Sequence, residues 1–355
     1  MAIFSYNNVK ISALNACVPK RIVDNRCFSD FFSSEEVEKV IKMTGIEFRR
    51  QADPSMIASD FAFISAKALL EENGISPDEI DVLIFCSLTP DYRMPATSFI
   101  LQDRLGMKKE LLCFDLTIGC SGYVYALNMA YSILNSTNLS KALVLNAHIA
   151  VNVNPRTDKA TSLLFGDGAT ATLVEKVREV KGSESSSFFS LNSDGSGYDA
   201  IIKRGGGYRC PTTEKTLERR LREDGSMRSD EDPEMDGPRV FDFTITKVPK
   251  DIKHIIESAG MSVEDIPYFV FHQANLFIIK HISKKLKIPF EKVPLSLSKF
   301  GNLSSASLPL TIVSEMRGDF PQSTPVLLTA FGVGLSWASA IVDLKDVRIG
   351  KLLEV

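Results

Sequence analysis

The chain has 355 residues, 44% hydrophobic and 24% charged, which is the balance of a folded globular protein and not of a disordered one. Its formal net charge of -3 leaves no general basic excess to neutralise nucleic-acid phosphates, so any basic docking patch is local. The opening MAIFSYNNVKISALNACVPKR sets Asn7, Asn8 and Lys10 where an export signal needs an unbroken apolar run, and no later stretch approaches the ~18 apolar residues of a membrane span; a cytoplasmic location is expected.

In chain order, DFAFISAKALLEENG (60–74) has helical periodicity and a stop at Gly74. VLIFCS (82–87) then has the length and apolar character of a buried strand. The helix SGYVYALNMAYSILN (121–135) and the strand ALVLNA (142–147) follow. In the second half the same alternation returns: strand PYFVF (267–271), helix ANLFIIKHISKKLK (274–287) and strand PVLLTA (325–330). Such alternation implies an α/β architecture. The Gly-, Pro- and charge-rich stretch 203–238 interrupts it. It reads either as a surface insertion with a solvated helix or flexible cap over 214–224, or as a lid over the substrate entrance.

The alternation is also a repeat. ISPDEIDVLIFCS (75–87) lies over MSVEDIPYFVFHQ (261–273) at an offset of 186, DLTIGCSG (115–122) over LSKFGNLS (297–304) at 182, and ALVLNA over PVLLTA at nearly the same spacing. Three echoes in one order argue for two copies of one unit, 1–178 and 179–355. The second echo sets Cys120 opposite Asn302.

Six cysteines, Cys17, Cys27, Cys86, Cys113, Cys120 and Cys210, show no CxxC pairing, so neither a zinc site nor a disulfide framework is indicated and no metal is expected. Most are small buried hydrophobes in such a chain. Cys120 differs in its setting: TIGCSGYVYALNMAY ends a strand at Gly119 and starts a helix just after the sulfur. There, free N–H groups and the helix dipole favour a thiolate and lower its pKa. His272 closes the run PYFVF, at the strand edge where open α/β sheets gather ligand sites, although a hydrogen-bonded structural histidine fits that position too. Asn302 in KFGNLSSAS is a helix N-cap by its own context, and only the repeat pairs it with Cys120. FGDGATA (165–171) lacks the GxGxxG pattern and the lysine of a phosphate loop, and reads as a structural turn.

Taken in order, TGIEFRR (44–50), DLTIGCSGYVYAL (115–127), SLLFGDGATATL (162–173), FHQAN (271–275), FGNLSSASLP (300–309) and AFGVGLSWASA (330–340) resemble the 3-oxoacyl-[acyl-carrier-protein] synthase III family of the thiolase superfamily, over almost the whole chain. The resemblance implies a thiolase-like fold, two duplicated α/β halves in an αβαβα layering. It also implies a decarboxylating condensation of an acyl thioester with a malonyl thioester through an acyl-cysteine. Cys120 matches the nucleophile, His272 and Asn302 the pair serving the malonyl step, and the backbone N–H groups of Cys120 and Val333 the oxyanion hole. Valine stands at Val333 where the family usually has glycine. Met94 matches an acyl-pocket residue crossing a homodimer interface, and Lys280, Lys284 and Lys285 fall on a helix that docks acyl carrier protein. No permanent cofactor is implied, the substrates being acyl-coenzyme A or acyl-carrier-protein thioesters. Lys39, Met43 and Phe277 stand where coenzyme A-binding Trp and Arg side chains are expected, which leaves the starter carrier open. A related acyltransferase lacking the malonyl step, or a non-catalytic relative, is the alternative. Asp91, with no glutamate in SLTPDYRMPATS (87–98), and the retained Cys, His and Asn weigh against these respectively.

Overall fold

The computed structural model describes residues 2–28, 31–150, 155–158, 160–177, 187–316 and 318–355. The expected boundary at 178/179 lies outside the described residues. Short apolar runs pair into two sheets. The C-terminal sheet holds β1 (Ile3–Tyr6), β9 (Ser187–Ser193), β16 (Ser336–Asp343), β15 (Pro325–Gly332) and β14 (Tyr268–Phe271), in that spatial order. The N-terminal sheet runs β17 (Arg348–Glu354), β2 (Val9–Val18), β8 (Gly168–Lys176), β7 (Lys141–His148), β5 (Val82–Cys86), β6 (Leu112–Leu116). Outside them, β3 (Ile22–Asp24) pairs with β4 (Phe48–Arg50).

Three helical layers alternate with the sheets. Outside the N-terminal sheet, α2 (Ala58–Glu72) packs Phe61, Ala62, Ala66 and Leu69 onto the odd-numbered residues of β7, Leu143, Leu145 and Ala147. α3 (Thr97–Arg104) lies beside it, against β5 and β6. Between the sheets lie α4 (Gly122–Ser136) and α9 (Ser307–Glu315), buried nearly all round, as a helix flanked by two apolar faces must be. Tyr6, Tyr131 and Phe189 interlock there with ring centroids 5.0–5.8 Å apart and tie β1, α4 and β9 together. Outside the C-terminal sheet are α6 (Gly237–Ser258), N-capped by Asp236, and α7 (Leu276–Leu286), N-capped by Asn275. α1 (Ser34–Thr44) starts with a Ser33–Glu36 capping box and ends at Gly45, whose φ of 72° suits glycine. α8 (Leu297–Phe300) is a single turn. The αβαβα layering is thus present.

The duplication is visible in the topology, since the order β2-β8-β7-β5 recurs as β9-β16-β15-β14. One echo is corrected by a residue. Val82 pairs with Ala142 in one sheet, and its counterpart Tyr268 pairs with Val326 in the other, so the offset between β7 and β15 is 184 and ALVLNA lies over VLLTAF. A one-residue slip would turn the inward face of a strand outward, and the burial pattern forbids it: Ala142 and Val144 face the central layer, as do Val326 and Leu328.

In the stretch 203–238, where a solvated helix or flexible cap was expected over 214–224, the chain forms one helical turn and short paired strands. α5 (Glu214–Leu217) is one turn. A hairpin of β11 (Arg220–Leu221) and β12 (Met227–Arg228) follows, turning at Asp224-Gly225, while β10 (Ile201–Ile202) and β13 (Glu234–Met235) close its base. Arg228, nearly buried, anchors it through Asp158 (2.7 Å) and Asp224 (2.8 Å). Among the described residues no helix is long and apolar enough to cross a membrane.

Candidate active site

Cys120 lies in the turn between β6 and α4. The turn closes with the Gly122 N–H donating to the Gly119 carbonyl (2.8 Å), and Gly122 packs where a Cβ would strike the Cys86 sulfur and Ser305. Gly332 at the end of β15 packs against the thiol. A Cβ there would sit 2.7 Å from Cys120 Sγ, and Gly332 holds φ of 157°. The backbone amides of Val333 and of Cys120 itself, with the Ser304 hydroxyl, are near enough to the sulfur to favour its thiolate. The two amides expected to form the oxyanion hole therefore converge on the Cys120 thiol. Gly332 and Gly334 carry the positive φ values of the turn and Val333 does not, so valine is unstrained at that position.

Burial raises the Cys120 thiol above its ordinary pKa, and those three donors pull it part of the way back. This reverses the lowering expected from the helix start. The sulfur is enclosed between α4, β15 and Ser304, and losing water outweighs the amides. Among the described residues all six cysteines are free; burial pushes Cys17 and Cys86 up to about 12.

His272 immediately follows β14. Its N–H donates to the Thr329 carbonyl on β15 (2.8 Å), and its ring meets Phe331 edge-on with centroids 5.6 Å apart. It is therefore anchored to the same strand end that touches Cys120. Behind it, Gln273 Oε1 accepts from the N–H groups of Ser296 and Leu297 (3.0 and 3.2 Å), which joins the HQAN turn to α8. The imidazole is buried, its Nδ1 has no partner among the described residues, and its pKa is pushed down to about 3, first by burial and then by His148. It is a neutral imidazole at physiological pH.

Asn302 is held on both sides by the 164–166 turn: its N–H donates to the Leu164 carbonyl (2.9 Å) and its carbonyl accepts from Gly166 (3.1 Å). Its Oδ1 accepts from the Ser304 N–H (2.8 Å), which leaves the Nδ2 donor for a ligand. FGDGATA serves as the structural turn, with Asp167 accepting from the amides of Ala52 (2.8 Å) and Ala150 (2.6 Å).

Sequence patterns alone miss Ser304, Gly332 and His148. Ser304 has φ of 50° and joins Cys120 to Asn302. Gly332 was readable as a glycine in FGVG, but its approach to the sulfur was not. Met94 is three-quarters exposed. Lys280, Lys284 and Lys285 are exposed on α7; Lys285 Nζ donates to the Ile245 carbonyl (2.7 Å) and Lys280 lies over Phe290. Lys39 and Met43 are exposed on α1, and Phe277 stacks on Phe241. No group of three or more His, Cys, Asp or Glu among the described residues is arranged to hold a metal ion.

A thiol at a strand-to-helix turn under two convergent amides, in a twofold-duplicated αβαβα fold, defines a thiolase-fold acyl-condensing enzyme. Residues 114–195 match the family model for 3-oxoacyl-[acyl-carrier-protein] synthase III and residues 256–344 the model for its C-terminal part. The chain is 35% identical over 335 residues to beta-ketoacyl-[acyl-carrier-protein] synthase III of Syntrophomonas wolfei, covering 94% of this chain and 97% of that protein. It is 34% identical to the enzyme of the same name from Staphylococcus epidermidis, covering 94% and 98%. The crystal structure of a 3-oxoacyl-(acyl-carrier protein) synthase from Burkholderia xenovorans superposes with a TM-score of 0.92 at 34% identity, over 100% of this chain and 99% of that one. The chain belongs to the 3-oxoacyl-[acyl-carrier-protein] synthase III family.

Proposed function

We propose that this enzyme condenses a starter acyl thioester with a malonyl thioester through an acyl intermediate on Cys120, the first step of building an acyl chain. In the first half-reaction the Cys120 sulfur attacks the starter carbonyl, its proton passes to the departing carrier thiol, and an acyl-cysteine remains. In the second, the bond between the malonyl carbon and its carboxylate breaks and carbon dioxide leaves. The electron pair enters the thioester as an enolate, which His272 and Asn302 stabilise by donating hydrogen bonds. The enolate carbon attacks the acyl-cysteine, and the Cys120 sulfur leaves and regains a proton. The product is a 3-oxoacyl thioester. The amides of Val333 and Cys120 hold the oxyanion formed at the acyl carbonyl.

The observation carrying this reading is the burial of His272 against the strand β15 whose end meets Cys120. A neutral imidazole donates to a forming enolate without protonating its carbon outright, and the burial that keeps His272 uncharged also excludes the water that would quench the carbanion. In this reading the chain comprises units 1–178 and 179–355. It pairs as a homodimer through the exposed edge of β6, where Leu112 and neighbouring Tyr92, Met94 and Phe99 present apolar side chains. Met94 reaches the partner's acyl pocket. Lys280, Lys284 and Lys285 receive the acidic carrier protein, and the enzyme works in the cytoplasm.

The test is intact-mass detection of acylation with a panel of acyl-coenzyme A and acyl-carrier thioesters, followed by malonyl-carrier and measurement of released carbon dioxide. Acylation of a Cys120→Ala variant, or unchanged malonyl decarboxylation by His272→Ala and Asn302→Ala, contradicts the assignment.

A further inference from the structure

His148 is the last residue of β7, and its even number puts it on the face of Ala142 and Val144, toward the central layer that carries Cys120 and Asn302. The ladders fix its counterpart in the other half. His148 pairs with Gly168 as Gly332 pairs with Ser336, and the offset of 184 sets His148 opposite Gly332. Gly332 is the residue that abuts Cys120. The counterpart of Cys120 is Asn302, so the duplication brings His148 toward Asn302 as it brings Gly332 toward the thiol.

The contacts agree. The His148 ring lies 5.4 Å from that of Phe165, Phe165 is bridged to Asn302 through the backbone, and β7 runs against the Ser304–Ala306 turn. On the thiol side the duplicated position carries no side chain, and its backbone packs against Cys120. On the amide side it carries a buried imidazole, and neither ring nitrogen has a partner among the described residues. Its neighbour His272 likewise has an unpartnered Nδ1, and the two rings are close enough for charge on one to oppose charge on the other. Orphaned buried nitrogens are costly, and such a pair beside Asn302 indicates a function.

We propose that His148 is a positioning residue of the malonyl half-reaction: it holds His272 in one tautomer beside Asn302, and takes no part in loading Cys120. This rests on the roles given above to His272 and Asn302. A neutral imidazole offers one donor and one acceptor, and a malonyl-derived oxygen or a solvent molecule linking it to His272 Nδ1 sets which nitrogen of His272 carries the proton. A charged residue at position 148 would fail in one of two ways. A cation repels a protonated His272 but sits unpaired, and an anion draws a proton onto His272.

The two half-reactions separate this from a structural role. His148→Ala and the polar, neutral His148→Gln are compared with the native enzyme and with His272→Ala, using malonyl-coenzyme A and malonyl-carrier for decarboxylation and acyl-coenzyme A for loading. His148→Ala is expected to lose roughly tenfold to a hundredfold in decarboxylation, less than removal of a principal catalytic group, while Cys120 loads within about twofold of the native rate. His148→Gln restores part of the loss. Because the chain contains four histidines, ring 15N shifts are assignable, and His272 is expected to change tautomer population in His148→Ala. Native decarboxylation in both variants, or a parallel loss of loading and decarboxylation, overturns the proposal; should the alanine variant not fold, the glutamine variant carries the same comparison. If His272→Ala itself decarboxylates normally, the reading of His272 falls instead.

Discussion

Replacing Gly332 with alanine tests whether the space above the thiol matters for chemistry. The added Cβ would lie 2.7 Å from Cys120 Sγ and 2.9 Å from its Cβ, where ordinary contact begins at 3.4 Å, so the sulfur or the strand end must retreat by about 0.7 Å. Two costs follow. Overpacking at a buried site, with alanine held at φ of 157°, is expected to destabilise the fold by about 1–3 kcal/mol. Displacing a nucleophile by close to 1 Å relative to its oxyanion donors costs on the order of 10²-fold in rate. The backbone N–H of Val333 is the next donor along and moves with the strand. Urea unfolding measures the first cost and single-turnover acylation of Cys120, followed by intact mass, the second. A Gly332→Ala enzyme that loads Cys120 at the native rate would refute the claim that this approach shapes the reactive chamber.

Three further outcomes are expected. Both His148 and His272 are buried with pKa values depressed from 6.5 to about 4 and about 3, so the unfolded chain binds protons that the folded chain refuses. Their contribution is complete above pH 6.5 and is lost as pH falls toward 4, at up to about 1.4 kcal/mol per pH unit for each residue. Urea midpoints from pH 7 to 4.5 check this, and a slope unchanged in the His148→Gln, His272→Gln double variant would contradict it. Arg228→Ala strands the fully buried Asp158 carboxylate and is expected to cost about 3–5 kcal/mol, with faster proteolysis within 203–238 as the local readout. Reversing charge at Lys284 and Lys285 should raise KM for carrier-bound malonate and weaken its salt dependence, leaving kcat near native.

The strands and the strand-to-helix turn carrying Cys120 were legible in the amino-acid sequence because each rests on local pattern. VLIFCS, YFVF and the helix after Cys120 are periodic segments whose type depends on their own residues, and the resemblance around GCSG, HQAN and GNLSS is unbroken. Other features depend on the tertiary arrangement. The thiol pKa turns on how much water the second half excludes from Cys120, and no helix-start argument contains that quantity. Ser304 acts through a left-handed backbone that its residue type does not announce. His148 is unremarkable in ALVLNAHIA and gains meaning only when the ladders place it opposite Gly332. Between Glu214 and Asp224 alternating charges suggested helix, but the Asp224-Gly225 turn and the pull of Asp158 on Arg228 favoured a hairpin.

The two halves exchange their ends. β1, from the start of the chain, borders the second sheet, and β17, from its finish, borders the first, where Glu354 bonds Arg50 (2.5 Å) and the Val355 N–H reaches the Val18 carbonyl (3.1 Å). Without β17 the first sheet would end on β2, and without β1 the second would end on β9, so each sheet takes an outer strand from the far side of the other repeat. The two repeats are therefore laced together by exchanged border strands as well as by the apolar layer packed between the sheets.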